Sequence, residues 1–174
     1  GSGLNDYIAA ASGGMTITGG LGADKIISGA GTDTIIIGAG DSDFGTISSP
    51  AVAVSVLADI ITLAAGDILD LTGALATEAD YDTLTEVAAG GTITTTLTTN
   101  EVGQFVGVYD PATGNFTSSS TVASGTGSST DVDALFYTYA VADDTDTTAT
   151  EGLIIIGLGA QADSAILNGV ITFA

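Results

Sequence analysis

The chain has 174 residues, 21 of them acidic, against one basic side chain, Lys25, and no histidine, giving a formal net charge of −20 at neutral pH. Such a charge repels nucleic acid and anionic membranes, and the lack of cysteine and histidine excludes a disulfide framework and ordinary zinc sites. Hydrophobic residues still make up 45% of the chain, too many for an acidic disordered tail, so a packed core must coexist with the acidity. Bound multivalent cations are the natural way to reconcile the two.

The opening 45 residues divide without insertion into five nonads: GSGLNDYIA, AASGGMTIT, GGLGADKII, SGAGTDTII and IGAGDSDFG. The eighth position is always large and apolar (Ile8, Ile17, Ile26, Ile35, Phe44), and the fourth is glycine in all but the first (Leu4, Gly13, Gly22, Gly31, Gly40). A period of nine does not fit a helix, and each glycine would weaken one by about 1 kcal/mol. It predicts a solenoid in which each nonad supplies a glycine-rich turn and a short strand, with its eighth side chain pointing inward. Gly20, Gly22, Gly29 and Gly31 are expected where the turn backbone adopts positive φ and approaches a ligand.

The sixth position reads Asp6, Met15, Asp24, Asp33 and Ser42. If two nonads make one coil, Asp6 and Asp24 stack one strand spacing apart, about 4.8 Å. Their carboxylates then repel by roughly 3 kcal/mol at an effective dielectric near 20, which a cation between them would relieve. Calcium suits the position, because it takes carboxylate and backbone carbonyl oxygens together. Asp33 is expected to have Met15 below it and Ala51 above, and so no carboxylate partner. Asp24 is expected to have Ser42 above it, flanked by Asp41 and Asp43 as substitute ligands. The expectation is one to three calcium ions, held by Asp6, Asp24, Asp33, Asp41 and Asp43 with the four glycines.

Residues 19–27 match the pattern G-G-x-G-x-D-x-U-x, with U a large apolar residue, and residues 28–36 match it with serine in first place. In these copies the chain resembles the repeats-in-toxin family of calcium-binding nonapeptide β-rolls. A dinucleotide fingerprint is a poorer reading of the same glycines, because no long amphipathic helix follows them.

From Ser48 the nonad register is lost, and the division expected is 1–47 for the roll and 48–174 for a C-terminal β-rich domain. Val52 to Val56, Ile60 to Leu63, Ile68 to Leu71, Thr92 to Thr99, Gln104 to Tyr109 and Asn115 to Ser118 read as strands. Residues 110–114 read as a hairpin turn. A helix is predicted over 74–89, with Thr77 as N-cap and Asp80 three residues on. Residues 119–131 read as a loop, and Ala134 to Ala140, Leu153 to Leu158 and Gly169 to Ala174 as further strands buried on both faces. The fold class expected is all-β: a short parallel roll followed by a mainly antiparallel, sandwich-like domain. Asp67 with Asp70, Asp131 with Asp133, and Asp143, Asp144 and Asp146 are read as turn or structural acids, the last group lacking the glycine and terminal glutamate of a calcium-binding helix-loop-helix site.

Without histidine or cysteine, and with Lys25 facing outward, no catalytic constellation is legible, and the chain is read as a non-enzyme. The resemblance implies an uncleaved C-terminal signal for type I secretion, an extracellular or cell-surface location, and folding delayed until calcium is met. The chain looks like a structural module of a bacterial surface-layer protein; the alternatives are the non-catalytic tail of a secreted protease or lipase and the terminal domain of a large adhesin. Its expected partners are calcium ions and either copies of itself or upstream domains of the same protein, with no nucleic acid and no membrane insertion. Ile27 and Ile36, outward-facing in the repeat, suggest a covered surface. The opening without initiator Met or apolar leader fits a fragment or processed product.

Overall fold

The computed structural model describes residues 1–44, 53–55, 58–75, 83–87, 93, 101–118, 132–139, 151–158 and 164–173. Its strands are β1 (Tyr7–Ala9), β2 (Thr16–Thr18), β3 (Lys25–Ile27), β4 (Thr34–Gly38), β5 (Ala53–Ser55), β6 (Ile60–Thr62), β7 (Ile68–Gly73), β8 (Thr83–Val87), β9 (Glu101–Asp110), β10 (Asn115–Ser118), β11 (Val132–Tyr139), β12 (Glu151–Ile156), β13 (Ser164–Leu167) and β14 (Val170–Phe173). No helix occurs among the described residues, and the protein is all-β.

The nonads form the coil their spacing predicts. β1 pairs in parallel with β3, Ile8 opposite Ile26, and β2 pairs in parallel with β4, Ile17 opposite Ile35. Two nonads therefore complete one turn, and each strand needs only one apolar side chain directed between the sheets. Ile17, Ile26 and Ile35 are buried there, each burial contributing about 1.5–3 kcal/mol.

The roll then continues past residue 47. β6 stacks in parallel on β3, with Ile61 opposite Ile26, and β7 stacks in parallel on β4, with Leu69 opposite Ile35. The position above Asp33 is therefore occupied by Asp67, and the position above Asp24 by Asp59. Neither sheet breaks at the expected boundary between 47 and 48. Phe44, the eighth residue of the fifth nonad, does not join the inward column. It packs edge-on against Phe136, ring centroids 5.9 Å apart, in a second cluster.

Beyond β6 the first sheet grows through β12, which pairs with β6 in parallel, Ile154 opposite Ile60, and then antiparallel through β11, β9, β10 and β5, with β8 alongside β9. Among the described residues the result is a nine-stranded sheet, while the second sheet runs β13-β14-β7-β4-β2. One core lies between the sheets and includes Ile26, Ile35, Ile61, Leu69, Leu135, Tyr137, Leu153 and Phe173. Alternation along β11 and β12 sends Phe136 and Ile154 to the opposite face, where they meet Phe105, Phe116 and Phe44.

The described part of the stretch predicted as a helix, 74–89, is not helical. Ala74 and Leu75 lie in a turn and Thr83–Val87 is β8, paired in parallel with β9. The β-branched residues Thr83, Thr85 and Val87 and a waiting strand edge outweigh the helix propensity of the surrounding alanines and glutamates. Thr77 and Asp80 lie outside the described residues. The hairpin at 110–114 forms as expected: the Gly114 amide donates to the Asp110 carbonyl at 2.8 Å, and the Ala112 amide to Asp110 Oδ1 at 2.9 Å. Residues 119–131, and all of Thr92 to Thr99 except the buried Ile93, lie outside the described residues.

Candidate cation-binding site

Successive coils bring their turns together along two edges of the roll. On one edge lie the turns that precede β1, β3 and β6; on the other lie those that precede β2, β4 and β7. Their backbones approach too closely for side chains. Gly20 has φ 86°, and a Cβ there would stand 2.3 Å from the Ser2 carbonyl oxygen. Gly29 has φ 92°, and a Cβ there would stand 2.3 Å from the Ala11 carbonyl oxygen. Gly22 and Gly31 also have positive φ and rest against the backbones of Leu4 and Gly13. All four glycines therefore line the gaps between turns, and carbonyl oxygens of Ser2, Leu4, Ala10 and Ala11 border those at Gly20, Gly22 and Gly29.

The aspartates form hydrogen-bonded ladders along both edges. On the first edge, the Asp6 amide donates to Asp24 Oδ1 at 2.7 Å, and the Asp24 amide donates to Asp59 Oδ1 at 2.7 Å. The Asp59 amide donates to Ser42 Oγ at 2.8 Å, and Ser42 Oγ donates to the Gly152 carbonyl at 2.7 Å. On the second edge, the Met15 amide donates to Asp33 Oδ1 at 2.6 Å and the Asp33 amide to Asp67 Oδ1 at 2.8 Å. Each aspartate rung thus satisfies a backbone donor of the coil below with one carboxylate oxygen of the coil above, and Ser42 does the same with its hydroxyl.

The other carboxylate oxygen is where the rungs differ. Oδ2 of Asp24, of Asp33 and of Asp59 is buried and has no hydrogen-bond partner. Asp24 Oδ2 turns toward its own glycine-rich turn, where a Cβ on Gly19 would lie 2.2 Å away. Asp67 Oδ2, by contrast, accepts the Ala64 amide at 2.8 Å, and Asp6 Oδ2 accepts the Ser2 amide. Buried polar atoms are ordinarily paired, so three orphaned carboxylate oxygens along two ladders mark positions for a positive ligand.

Electrostatics point the same way. Burial raises the Asp24 carboxyl above its ordinary range, with the charges of Asp6 and Asp41 adding to the effect. Burial raises Asp59 to about 7, and the Asp24, Asp41 and Glu151 charges again contribute. The hydrogen bonds from Ser2 lower Asp6, which sits at the more open end. Hydrogen-bond donors and the terminal amine only partly offset the clustered charge, and Lys25, the only basic side chain of the sequence, lies over the Tyr7 ring at 5.9 Å.

The sequence-predicted ligands are only partly brought together. Asp6 and Asp24 occupy consecutive rungs of one ladder, and Asp33 belongs to the other. Asp41 caps its own turn, its Oδ2 accepting the Gly38 amide at 2.6 Å, while Asp43 is exposed and forms an isolated antiparallel bridge with Glu151. Neither stands in the ladder. Their place is taken by Asp59, which the sequence reading missed because the nonad register is interrupted before it. Asp133 lies on β11 and Asp70 accepts from Thr72, whereas Asp131, Asp143, Asp144 and Asp146 lie outside the described residues.

Among the described residues no three acidic side chains gather closely enough to hold a metal by themselves. A cation would therefore combine one or two carboxylate oxygens with turn carbonyls. That mixed set fits a hard ion such as calcium, which accepts six to eight oxygens in irregular geometry, and the unpaired Oδ2 atoms supply its charged members. It does not fit zinc, which prefers nitrogen or sulfur in a tetrahedron.

No protein-family model matches the chain, and no curated protein matches it. Among solved structures it is similar to the solution structure of the AlgE6R3 subunit from the Azotobacter vinelandii mannuronan C5-epimerase. The identity is 14%, the similarity covers 90% of this chain and 73% of the other, and the TM-score is 0.38.

Proposed function

We propose that this chain is a non-catalytic, calcium-binding β-roll module that works outside the cell as a structural part of an exported bacterial protein, with assembly into a surface layer as its role. The observation that carries the reading is the set of buried, unpartnered Oδ2 atoms on Asp24, Asp33 and Asp59 along the two ladders, that of Asp24 lying against its glycine-rich turn. Calcium would neutralise the ladders and draw the turns together, so that folding free energy includes ion-binding free energy. In a compartment poor in free calcium the same charges would hold the chain open, which suits export through type I secretion before folding.

The test is a calcium titration of the chain followed by circular dichroism and light scattering, with Asp24→Asn alongside. A β-sheet transition at about 10⁻⁴–10⁻³ M calcium, moved to at least tenfold higher concentration by the substitution, is expected. Growth of scattering in the same range supports assembly; a calcium-folded monomer favours the role of a tail or adhesin domain. Equal folding in chelator and in calcium, with no ion bound, would overturn the reading.

A further inference from the structure

The acidic ladder on the first edge ends beside a residue far from the repeats. Glu151 begins β12, the strand that joins the C-terminal half of the chain to the roll. Its Oε1 accepts the Gly40 amide, Asp43 bridges to it, and Tyr139 stands directly opposite it on β11. Asp59 reaches the same strap of chain, residues 40–43, through the Ser42 hydroxyl.

Three oxygen atoms at this junction are buried without a well-formed hydrogen bond: Asp59 Oδ2, Glu151 Oε2 and the Tyr139 hydroxyl, the last two facing each other closely enough to interact. Their residues are almost wholly enclosed, at 0%, 5% and 0% exposure. They also lie within electrostatic reach of one another. Burial first, then the charges of Asp41 and Asp43, raises Glu151, and burial first, then Glu151, Asp59 and Asp41, raises Tyr139 well above its ordinary value. A hydrogen-bond donor would satisfy one such oxygen, whereas a hard divalent cation satisfies several and cancels the repulsion between the two carboxylates.

We propose that Asp59, Glu151 and the Tyr139 hydroxyl hold a cation at this junction, a site outside the nonad repeats that clasps β12 to the roll. The inference rests on the reading of the ladders as calcium-binding, and extends it from folding of the roll to docking of the C-terminal half. Glu151 is suited to the task because one of its oxygens is already fixed by Gly40, leaving the other free for the ion.

The experiment uses the full chain, with calorimetric calcium counting and tyrosine-sensitised terbium luminescence on the parent, Glu151→Gln, Tyr139→Phe and Asp24→Asn. Glu151→Gln keeps an oxygen for the Gly40 amide but removes the charge. It is expected to bind one ion fewer, or one ion at least tenfold more weakly, while its metal-free form is no less stable than the parent. Tyr139→Phe is expected to lose most of the sensitised emission, and Asp24→Asn to retain it. If Glu151→Gln does not fold in saturating calcium, the emission of Tyr139→Phe decides. Unchanged ion count in Glu151→Gln, or unchanged emission in Tyr139→Phe, with binding still weakened by Asp24→Asn, would overturn the clasp and leave the ladder sites standing. Absence of binding in the parent would overturn both.

Discussion

The Asp59 amide donates to the Ser42 hydroxyl at 2.8 Å, although Ser42 precedes Asp59 in sequence and stands above it in the ladder. The order in space is Asp6, Asp24, Asp59, Ser42, so the last rung is an alcohol. This is the one place where a carboxylate would not serve, because the same oxygen must also donate to the Gly152 carbonyl. Ser42→Ala, which leaves the Asp59 amide buried and unpaired, is expected to cost about 1–3 kcal/mol. Ser42→Asp, which sets a carboxylate against that carbonyl, is expected to cost more. Urea denaturation in saturating calcium measures both.

Asp33 and Asp67 occupy neighbouring rungs of the second ladder, yet only Asp33 has an oxygen left over. Asp33→Asn should therefore weaken calcium binding at least tenfold with little effect on a chain held folded by excess ion. Asp67→Asn forces an amide group toward one of two backbone donors, and should lower stability by about 1–3 kcal/mol even in excess calcium. Calorimetry combined with denaturation separates a ligand from a structural acid; identical behaviour of the two variants would contradict the distinction.

In the metal-free chain, stability should fall as pH rises from about 4 to 7. Asp59 is raised to about 7 from an ordinary 3.8, so the folded form holds its proton across a range in which the unfolded form has released it. The unfolded chain then binds fewer protons, and the slope of unfolding free energy with pH is negative. Asp24 and Glu151 are raised as well and act in the same direction, while the lowered Asp6 acts only below about pH 4, outside this range. A higher urea midpoint at pH 5 than at pH 7.5 is expected without metal. Saturating calcium, which replaces the proton, should flatten or reverse the slope.

Glycine is required at some turn positions and incidental at others. Gly29→Ala meets both a positive φ and the Ala11 carbonyl oxygen, whereas Gly3 has no atom within 4 Å of an added Cβ. The first substitution should lower stability by about 2 kcal/mol or more, and the second should stay within about 0.5 kcal/mol. Thermal denaturation of the two variants side by side tests the close stacking of the turns.

The coil and its inward column were legible because a nine-residue period leaves little choice: Ile8, Ile17, Ile26 and Ile35 repeat without insertion and stack as the period requires. The continuation was hidden for a local reason. Asp59 and Asp67 each stand before an apolar strand as Asp24 and Asp33 do, but they follow an interrupted stretch and lie eight positions apart instead of nine. The helix read into 74–89 failed because propensity sees the alanines and glutamates but not the free edge of β9 that takes up β8. Glu151 carried no signal at all. Its position depends on which strand lies beside β6, and that is decided by tertiary pairing.

The placement of β12 between β6 and β11 has a consequence for a chain made from its N-terminus on a ribosome. The strand that covers β6 is encoded late, so the early strands emerge with an open parallel edge that only distant residues can close. Such topologies fold slowly and leave pairing surfaces available to neighbouring chains. The density of negative charge, which opposes compaction of a single chain, also keeps half-finished chains apart by mutual repulsion until the missing strand arrives.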